Sequence, residues 1–482
     1  MSTEKKLLKN ASWNIIYNLL NIVFSLCSAI YVSRILNPSG VGLITFVNTI
    51  AAYFIPFASL GMPTYGIREV ARSYDSPNKN KVFTELFFIN FCSSMIVSIL
   101  YYLIVMSASY FRENRLLFFI AGFSILINAF NIEWFYKGTE RFKFITTRNI
   151  LFKIISLISI FLCVNSRSDI IVYMIITCCV SAGNQIVNLI HSKKYVQFHI
   201  KLISLKSMLR HMKPLLFLLV SIIAGELYSK IDIVMLREMC GDSYVGYYSE
   251  ATRISNIVLT VIVSITAVML PQLSQTYENR KLKEFNRLIN NGLNVLLSVS
   301  LAAFVGIQFV GEDVVILLFG KAFAPAGLTL RILSFLFIVK GVGDLLAYQV
   351  VISIGRESIF PIIRFVAAAL NCILNYILIK LYQQNGAAFA SVVTELLTVI
   401  VVLIIVRKEI RIKMKKNNII SLFWSTFFMT VFLLLNALIP YNAIIKLIIN
   451  IVFGAFIFMG GLMIFHNDII NLVALVKNKN VS

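Results

Sequence analysis

The sequence is poor in charged residues and has no extended polar region. Charged residues make up 14% of the 482 residues, whereas hydrophobic residues make up 59%, and the mean hydropathy is +0.84. The longest polar connection, residues 191–213, is too short to hold a folded domain. These deficits exclude a water-soluble globular chain and place any functional site within apolar segments and their short connections.

Motifs for metal binding and redox chemistry are missing as well. Six of the seven cysteines lie in apolar segments, and no CxxC or Cys/His metal spacing occurs. His191, His199 and His211 share one connection, but no two of them are one helical turn apart, so we interpret them as solvated loop residues. The sequence therefore predicts no structural disulfide, no metal and no cofactor.

The apolar residues are concentrated in fourteen segments, each long enough to cross a bilayer as a helix. The predicted ranges are residues 10–33, 41–62, 82–109, 116–136, 149–165, 170–190, 214–236, 246–269, 288–310, 326–350, 359–379, 386–406, 418–439 and 447–465. Because fourteen is an even number, both termini are predicted to lie on the same side of the membrane.

The distribution of basic residues orients these segments. Of the 44 Lys and Arg residues, 30 lie in connections on the side of the amino terminus, 8 lie in connections on the other side, and 6 lie within the segments. Basic residues are retained in the cytoplasm during insertion, so both termini of this multi-pass membrane protein are predicted to be cytoplasmic. The net charge of +22 thus reflects topology rather than nucleic-acid binding.

An internal repeat is visible in two pairs of connections. The connection from Arg34 to Gly42 matches that from Arg237 to Gly246, since both place an Arg eight or nine residues before the Gly of a Val-Gly pair. The glycine connection at residues 137–141 has a counterpart at residues 354–358. We predict an all-α polytopic membrane protein with two six-helix lobes in a pseudo-twofold repeat and two C-terminal helices.

The repeat sets the predicted domain boundaries and the class of function. The N-terminal lobe is predicted at residues 1–200, the C-terminal lobe at 201–410, and the two appended helices with a cytoplasmic tail at 411–482. Repeats of this kind give alternating access when two lobes rock about a central site, which favours transport. A polymerase or ligase of lipid-linked sugars is the rival class, but the outer connections are too short for a catalytic domain.

Several motifs distributed along the chain form a specific set. They are Arg34–Gly42, Leu60–Pro63 followed by Arg68-Glu69, Asp232–Leu236 followed by Val245–Ser249, Leu318–Lys321, and Asn371–Asn375 before Gly386–Ala388. As a set, over about residues 7–406, they resemble the bacterial polysaccharide and O-antigen flippases, the Wzx-like branch of the multidrug, oligosaccharidyl-lipid and polysaccharide exporter superfamily. Residues 418–465 leave open a closer relation to the lipid II flippases.

The resemblance implies a transporter rather than an enzyme. Its substrate would be an undecaprenyl-diphosphate-linked oligosaccharide, turned from the inner to the outer leaflet for capsule, O-antigen or exopolysaccharide synthesis. Further implied partners are membrane lipids, a coupling proton or sodium ion, and a polymerase and other export proteins. A drug or cation antiporter of the same superfamily is the alternative, disfavoured because the first helix carries no acidic residue.

Ionisable residues inside the apolar segments are the candidate site residues, because charges in hydrocarbon are costly and usually line a cavity or pair with one another. For the cationic cavity that an anionic diphosphate headgroup requires, we predict the following basic side chains. They are Lys153, Lys230, Arg253, Lys340 and Arg364. The candidates for binding a coupling ion are Glu395, Asp232 and Glu226.

Structural interpretations of these charges remain open. Glu226 and Lys230, like Lys340 and Asp344, are spaced i, i+4 and fit intrahelical ion pairs, and Glu250 is placed to hold Arg253. Lys153 and Arg364 lie near enough to segment ends to snorkel to the membrane surface.

A stripe of amides marks the first segment. Asn14, Asn18 and Asn21 recur at i, i+4 and i+7 and therefore share one helical face. An amide stripe facing lipid is unfavourable, so we predict that it faces another helix or a polar cavity, where it bonds helices together or contacts sugar hydroxyls.

Overall fold

The computed structural model describes residues 3–199, 204–440 and 442–469, with side chains except for those of residues 3–19, 205, 221 and 443. Within these ranges every regular element is helical. The helices are α1 Thr3–Ser59, α2 Met62–Ser73, α3 Lys79–Ser107, α4 Arg115–Asn128, α5 Glu133–Gly138, α6 Phe142–Cys163, α7 Ile170–Ser192, α8 Leu205–Cys240, α9 Asp242–Ala267, α10 Leu270–Glu278, α11 Leu282–Phe319, α12 Ala326–Leu333, α13 Phe335–Gly343, α14 Val350–Ser353, α15 Phe360–Val406, α16 Lys416–Ala437 and α17 Ala443–Ile464. A π-turn at Asp344–Gln349 joins α13 to α14.

The helices account for the predicted number of membrane crossings. In the described part of the chain, 12 helical stretches are long and apolar enough to cross a membrane, and two of them have 54 and 50 residues. At 1.5 Å per residue, each of these two is about twice as long as one crossing requires. Counting each twice gives the fourteen predicted crossings and confirms the predicted fold class.

Both long stretches are interrupted by a residue with non-helical backbone angles. In α1 the interruption is Asn37, with φ 58° and ψ 175°, and in α15 it is Gln383, with φ 54° and ψ −130°. The turn in α15 is so tight that a Cβ atom on Gly386 would lie 2.0 Å from the carbonyl oxygen of Leu378. A residue without a side chain is therefore required where the second half of α15 begins.

The chain divides into two compact units, residues 1–246 and 247–482. In the first unit, the amphipathic helix α2 packs its apolar face on α3 and α5 through a cluster that includes Phe83, Leu86 and Trp134. In the second unit, α11 packs on α16 and α17 around Val305, Met429 and Phe458. The predicted boundaries after residues 200 and 410 stay a prediction.

The first pair of matched connections shares an unusual backbone conformation. Asn37 has φ 58° and ψ 175°, and Gly241, at the corresponding place between α8 and α9, has φ 96° and ψ 177°. Such backbone angles are essentially confined to glycine. The two connections also pack on each other, since a Cβ atom on Gly42 would lie 1.7 Å from the Asp242 carbonyl oxygen.

The second pair of matched connections closes its preceding helices in the same way. The N–H of Arg141 donates to the carbonyl of Tyr136 at 2.9 Å, and the N–H of Arg356 donates to the carbonyl of Val351 at 3.0 Å. The residue before each Arg, Glu140 in one case and Gly355 in the other, has positive φ, at 56° and 71°. This is the hydrogen-bonding pattern of a Schellman cap, and both connections of the pair have it.

A third repeated feature was not predicted from the sequence. After α7, the N–H groups of Gln197 and His199 donate to the side chains of Asn80 and Thr84 on α3. After α15, the N–H groups of Arg411 and Lys413 donate in the same way to side chains one turn apart on α11. The α11 acceptors are Asn286 and Asn290. In both units an extended segment thus lies along one helix.

The appended helices are fastened to α11 by buried amides as well as by apolar contacts. Asn294 on α11 donates to Asn467 at 2.6 Å, and Asn467 donates to Ser421 on α16 at 3.2 Å. Further along, Asn436 donates to Asn450 at 2.6 Å and joins α16 to α17. Hydrogen bonds between amides hold helices together in a hydrocarbon environment, where apolar burial gives little preference between helix and lipid contacts.

Candidate functional site

The first unit holds a charged group on α8 that contains three of the predicted site residues. Lys230 Nζ lies 2.7 Å from Glu226 Oε2, and both side chains are about one third exposed. Asp232 is buried and interacts electrostatically with Tyr53 on α1, as Glu226 also does. Lys230 is therefore neutralised by a carboxylate on its own helix, in the spacing that the sequence indicated.

Arg253 is also paired with an acid one turn away. Its Nε donates to Glu250 Oε2 at 2.8 Å, and its Nη2 donates to Glu250 Oε1 at 3.4 Å. The Glu250 side chain is 1% exposed, whereas that of Arg253 is 35% exposed. This two-bond geometry is the strong form of an Arg–carboxylate contact, and it fixes the guanidinium in the first half of α9.

Lys153 differs from these bases because its charge is uncompensated. The residue lies near the middle of α6 and is half-buried. In the part of the chain that the structure describes, no carboxylate lies within ion-pair distance of it. An ammonium group on an apolar helix without a counter-ion favours the approach of an anion.

Lys340 and Asp344 do not form the intrahelical pair that their spacing suggested. Asp344, the first residue of the π-turn, accepts hydrogen bonds from Thr266 and from Gln349 Nε2, the latter at 3.2 Å. Lys340 is half-buried and has no ion pair among the described residues. The partners of Asp344 are therefore side chains that pack beside it at the π-turn, and not the lysine four residues earlier on its own helix.

The remaining predicted residues lie in different environments. Arg364, in the first turns of α15, is exposed, and Glu395, further along α15, is half-buried and interacts with a neighbouring polar or charged group. Asn21 is half-buried on α1, whereas the side chains of Asn14 and Asn18 lie outside the described residues. Their predicted roles stay predictions.

A buried polar cluster at the start of α8 was missed by the sequence interpretation. His211 is 1% exposed, and its ring bonds Tyr65 Oη at 2.7 Å and Glu85 Oε2 at 3.1 Å. Arg210 donates to the same Glu85 oxygen at 3.0 Å. The interpretation of His211 as a solvated loop residue is therefore wrong, because α8 begins earlier than the apolar run and carries His211 against α2 and α3.

The same correction applies to His191 at the end of α7. Its ring stacks on Phe144, and its Nδ1 lies 3.2 Å from Tyr136 Oη. One signal was available in the sequence, since Glu85 is an acid within the third apolar segment and requires a partner. The sequence does not show, however, which residue of a distant helix provides that partner.

Helices long enough to cross a membrane, a two-unit repeat and ionisable side chains within the spans together define a multi-pass membrane transporter. The chain belongs to the polysaccharide biosynthesis protein family, whose profile matches residues 7–277. This match confirms the resemblance found in the sequence motifs.

Curated relatives carry related names. A putative O-antigen transporter of Escherichia coli K12 is 25% identical over 85% of this chain and 99% of its own length. The capsular polysaccharide biosynthesis protein CapF of Staphylococcus aureus is 22% identical over 82% of this chain and 98% of its own length. A probable low-salt glycan biosynthesis flippase, Agl15 of Haloferax volcanii, is 25% identical over 50% of this chain and 51% of its own length.

Solved structures share the fold at low sequence identity. The lipid II flippase MurJ in an inward closed conformation superposes with a TM-score of 0.79 at 15% identity, covering 95% of this chain and all of that chain. An inward-facing multidrug resistance transporter of the MATE family gives a TM-score of 0.61 at 14% identity, covering 80% of this chain and 93% of the other. At these identities the likeness establishes the fold and leaves the substrate open.

Proposed function

We propose that this protein is a flippase that moves a lipid-diphosphate-linked oligosaccharide, carried on undecaprenol, from the inner to the outer leaflet of the cytoplasmic membrane. The family match and the glycan transporters and flippases among the relatives support this function. The fold likeness to a lipid II flippase is consistent with it. The product serves the synthesis of a capsule, O-antigen or exopolysaccharide.

The observation that carries the proposal is the uncompensated Lys153. A diphosphate headgroup that enters an apolar environment loses its hydration and needs cationic hydrogen-bond donors in exchange. Lys230 and Arg253 already share their charge with Glu226 and Glu250, whereas Lys153 has no such partner among the described residues. We therefore assign the first electrostatic contact with the headgroup to Lys153.

The mechanism that we propose is alternating access. The headgroup binds to basic side chains within the membrane while the polyprenyl tail stays in the lipid, and rocking of the repeats then exposes the headgroup to the other side. The count of basic residues supports a cytoplasmic position for both termini and for the connections within residues 191–213 and 407–415. No chemical bond is made or broken in this cycle, so the protein acts as a transporter and not as an enzyme.

The test is translocation of a fluorescent lipid-diphosphate oligosaccharide in proteoliposomes. We expect Lys153→Ala to abolish most of the transport, and Lys153→Arg to keep part of it, because the charge remains while the donor geometry changes. Lys283→Ala is the matched control, since it removes one positive charge from an exposed position in the first turn of α11. This control should transport like the wild type.

The outcomes separate the competing functions. An unchanged rate for Lys153→Ala would contradict the assignment of this residue, provided that the wild type is active. A wild type that transports no lipid-linked sugar but exports cationic drugs would favour the antiporter of the same superfamily. Mass spectrometry of the recovered lipid distinguishes a polymerase or ligase, because only an enzyme changes the mass of the glycan.

A further inference from the structure

A second polar site lies in the second unit, apart from the basic residues assigned to the headgroup. It consists of Asp344 and Gln349, the two ends of the π-turn, and Thr266 near the end of α9. Thr266 is fully buried and Gln349 is 4% exposed. Isolated π-turns within helices are rare and occur frequently at functional sites, because they widen the helix and redirect its side chains.

The carboxylate of this site has hydrogen-bond donors but no counter-ion. Its Oδ2 accepts from Thr266 and from Gln349 Nε2, and no Lys, Arg or His side chain of the described residues lies within ion-pair distance. The other amide atom of Gln349, Oε1, is buried and lacks a hydrogen-bond partner in the same part of the chain. An acceptor without a donor beside an unpaired carboxylate indicates that one positive charge is needed here.

The elements packed on the π-turn contribute few charges. Tyr348 lies within the turn, Lys340 lies one turn earlier, and Glu395 lies one turn from the Val399 side chain that abuts Gly343. The charged residues of α11 lie in its first two and last two turns, those of α9 lie in its outer half, and those of the first part of α15 lie near its ends. These residues are Lys283, Glu284, Arg287, Glu312 and Asp313 on α11, Asp242, Glu250 and Arg253 on α9, and Arg364 and Lys380 on α15.

The surroundings of Asp344 fit a proton better than a metal ion. Thr266 has a single hydroxyl hydrogen and two acceptors in reach, the Val263 carbonyl at 2.7 Å and Asp344 Oδ2. If the hydrogen points to Asp344, the ionised acid is satisfied. If it points to Val263, the Thr266 oxygen is free to accept a proton carried by Asp344, and rotation of the Gln349 amide presents Oε1 as a second acceptor.

We propose that Asp344, Thr266 and Gln349 form the proton-binding site that couples translocation to a proton gradient. The site satisfies both protonation states by rotating one hydroxyl and one amide, whereas a hard metal ion such as Mg²⁺ needs about six oxygen ligands. With cytoplasmic termini, Thr266 and Asp344 lie in the cytoplasmic halves of their spans. The cargo that this site would couple to rests on the proposed flippase function, whereas the binding of a proton does not.

The proton is detected directly, without a substrate. In infrared difference spectra recorded across a pH change, the carboxylic-acid C=O band of Asp344 should be present in the wild type and missing in Asp344→Asn. Asp313→Asn, at the end of α11, is the matched control and should keep that band. Thr266→Val should shift the band, because it removes the hydroxyl that bonds the acid while preserving side-chain volume.

Transport supplies the second measurement. In proteoliposomes with an imposed pH gradient, the wild type and Asp313→Asn should move the lipid-linked oligosaccharide faster than without a gradient, and Asp344→Asn should lose this acceleration. Full acceleration in Asp344→Asn, or an unchanged infrared band, overturns the proposal, and so does wild-type acceleration by a sodium gradient alone. If the wild type moves no lipid-linked sugar while the band behaves as expected, the proposed cargo is wrong and the proton site stands.

Discussion

Gly246 lies so close to Pro38 that a Cβ atom on it would come within 2.1 Å of the Pro38 carbonyl oxygen. The reverse contact is equally tight, since a Cβ atom on Gly42 would lie 1.7 Å from the carbonyl oxygen of Asp242. Both obstacles are backbone atoms, which cannot rotate away as the end of a side chain does. The two matched connections of the repeat therefore pack backbone to backbone, and only glycine fits at either contact.

The first prediction follows from this contact. Gly42→Ala and Gly246→Ala should each lower the free energy of unfolding by at least about 1–3 kcal/mol, because the connections must separate to admit the methyl group. Thermal unfolding in detergent, followed by size-exclusion chromatography, measures the effect. Gly460→Ala on α17, where no atom lies within 4 Å of the added carbon, should unfold like the wild type. Equal midpoints for all three variants would contradict the close packing.

The second prediction concerns the strained backbone at Asn37. In the amide orientation that satisfies both atoms, its oxygen accepts from Arg167 Nε at 2.6 Å. Asn37→Ala and Asn37→Gly both lose this bond, but only glycine adopts φ 58° and ψ 175° without cost. We expect the alanine variant to be less stable than the glycine variant by about 1–3 kcal/mol.

Gly241→Ala is the matched test in the repeated connection. Nothing lies within 4 Å of the carbon added there, and φ is +96°, so any loss of stability reports backbone strain alone. The expected loss is of the same size, about 1–3 kcal/mol. If both alanine variants unfold at the wild-type temperature, the backbone conformation is not strained.

The third prediction tests whether Glu226 neutralises Lys230. Glu226→Gln removes the negative charge 2.7 Å from Lys230 Nζ and should make the cation available to an anionic headgroup. For a partly exposed pair the gain is on the order of 1 kcal/mol, a several-fold tighter binding of a soluble diphosphate-sugar analogue. Glu69→Gln, which breaks a comparable pair with Arg72 on α2, is the control and should leave binding unchanged. Weaker binding in Glu226→Gln would indicate that Glu226 itself holds the ligand.

The fourth prediction concerns the buried cluster at the start of α8. Glu85→Ala leaves the buried His211 ring without its hydrogen-bond partner and removes the ion pair of Arg210, and it should cost about 1–3 kcal/mol of stability, because a buried polar group is left unsatisfied. Glu284→Ala removes an exposed acid at 4.0 Å from Arg287 and should cost about 0–1 kcal/mol. Thermal unfolding of the two variants compares them directly. Similar losses would mean that the cluster contributes no more than a surface pair.

Much of the fold was predictable from local pattern. Each crossing requires about 20 apolar residues and leaves its basic residues in the connections, so the helices can be found without tertiary contacts, and their orientation stays a prediction. The repeat was also visible in the sequence. Positive φ selects residues such as Asn37 and Gly241, and close backbone packing selects Gly42 and Gly246. The spacing between these two positions is the same in both connections. The extended segments along α3 and α11 were not predicted, because their bonds use backbone N–H groups, which are the same for every residue type except proline.

The sequence by itself also determined which ionisable residues lie within apolar helices, and their spacing correctly indicated partners on the same helix for Lys230 and Arg253. Only the tertiary structure decided the partners between helices. Asp344 bonds Thr266, 78 residues away, rather than Lys340, and His211 bonds Glu85, 126 residues away. Hydropathy and helical periodicity act over a few turns of one helix, whereas the choice between distant partners depends on which helix faces pack together, and no local pattern specifies that packing.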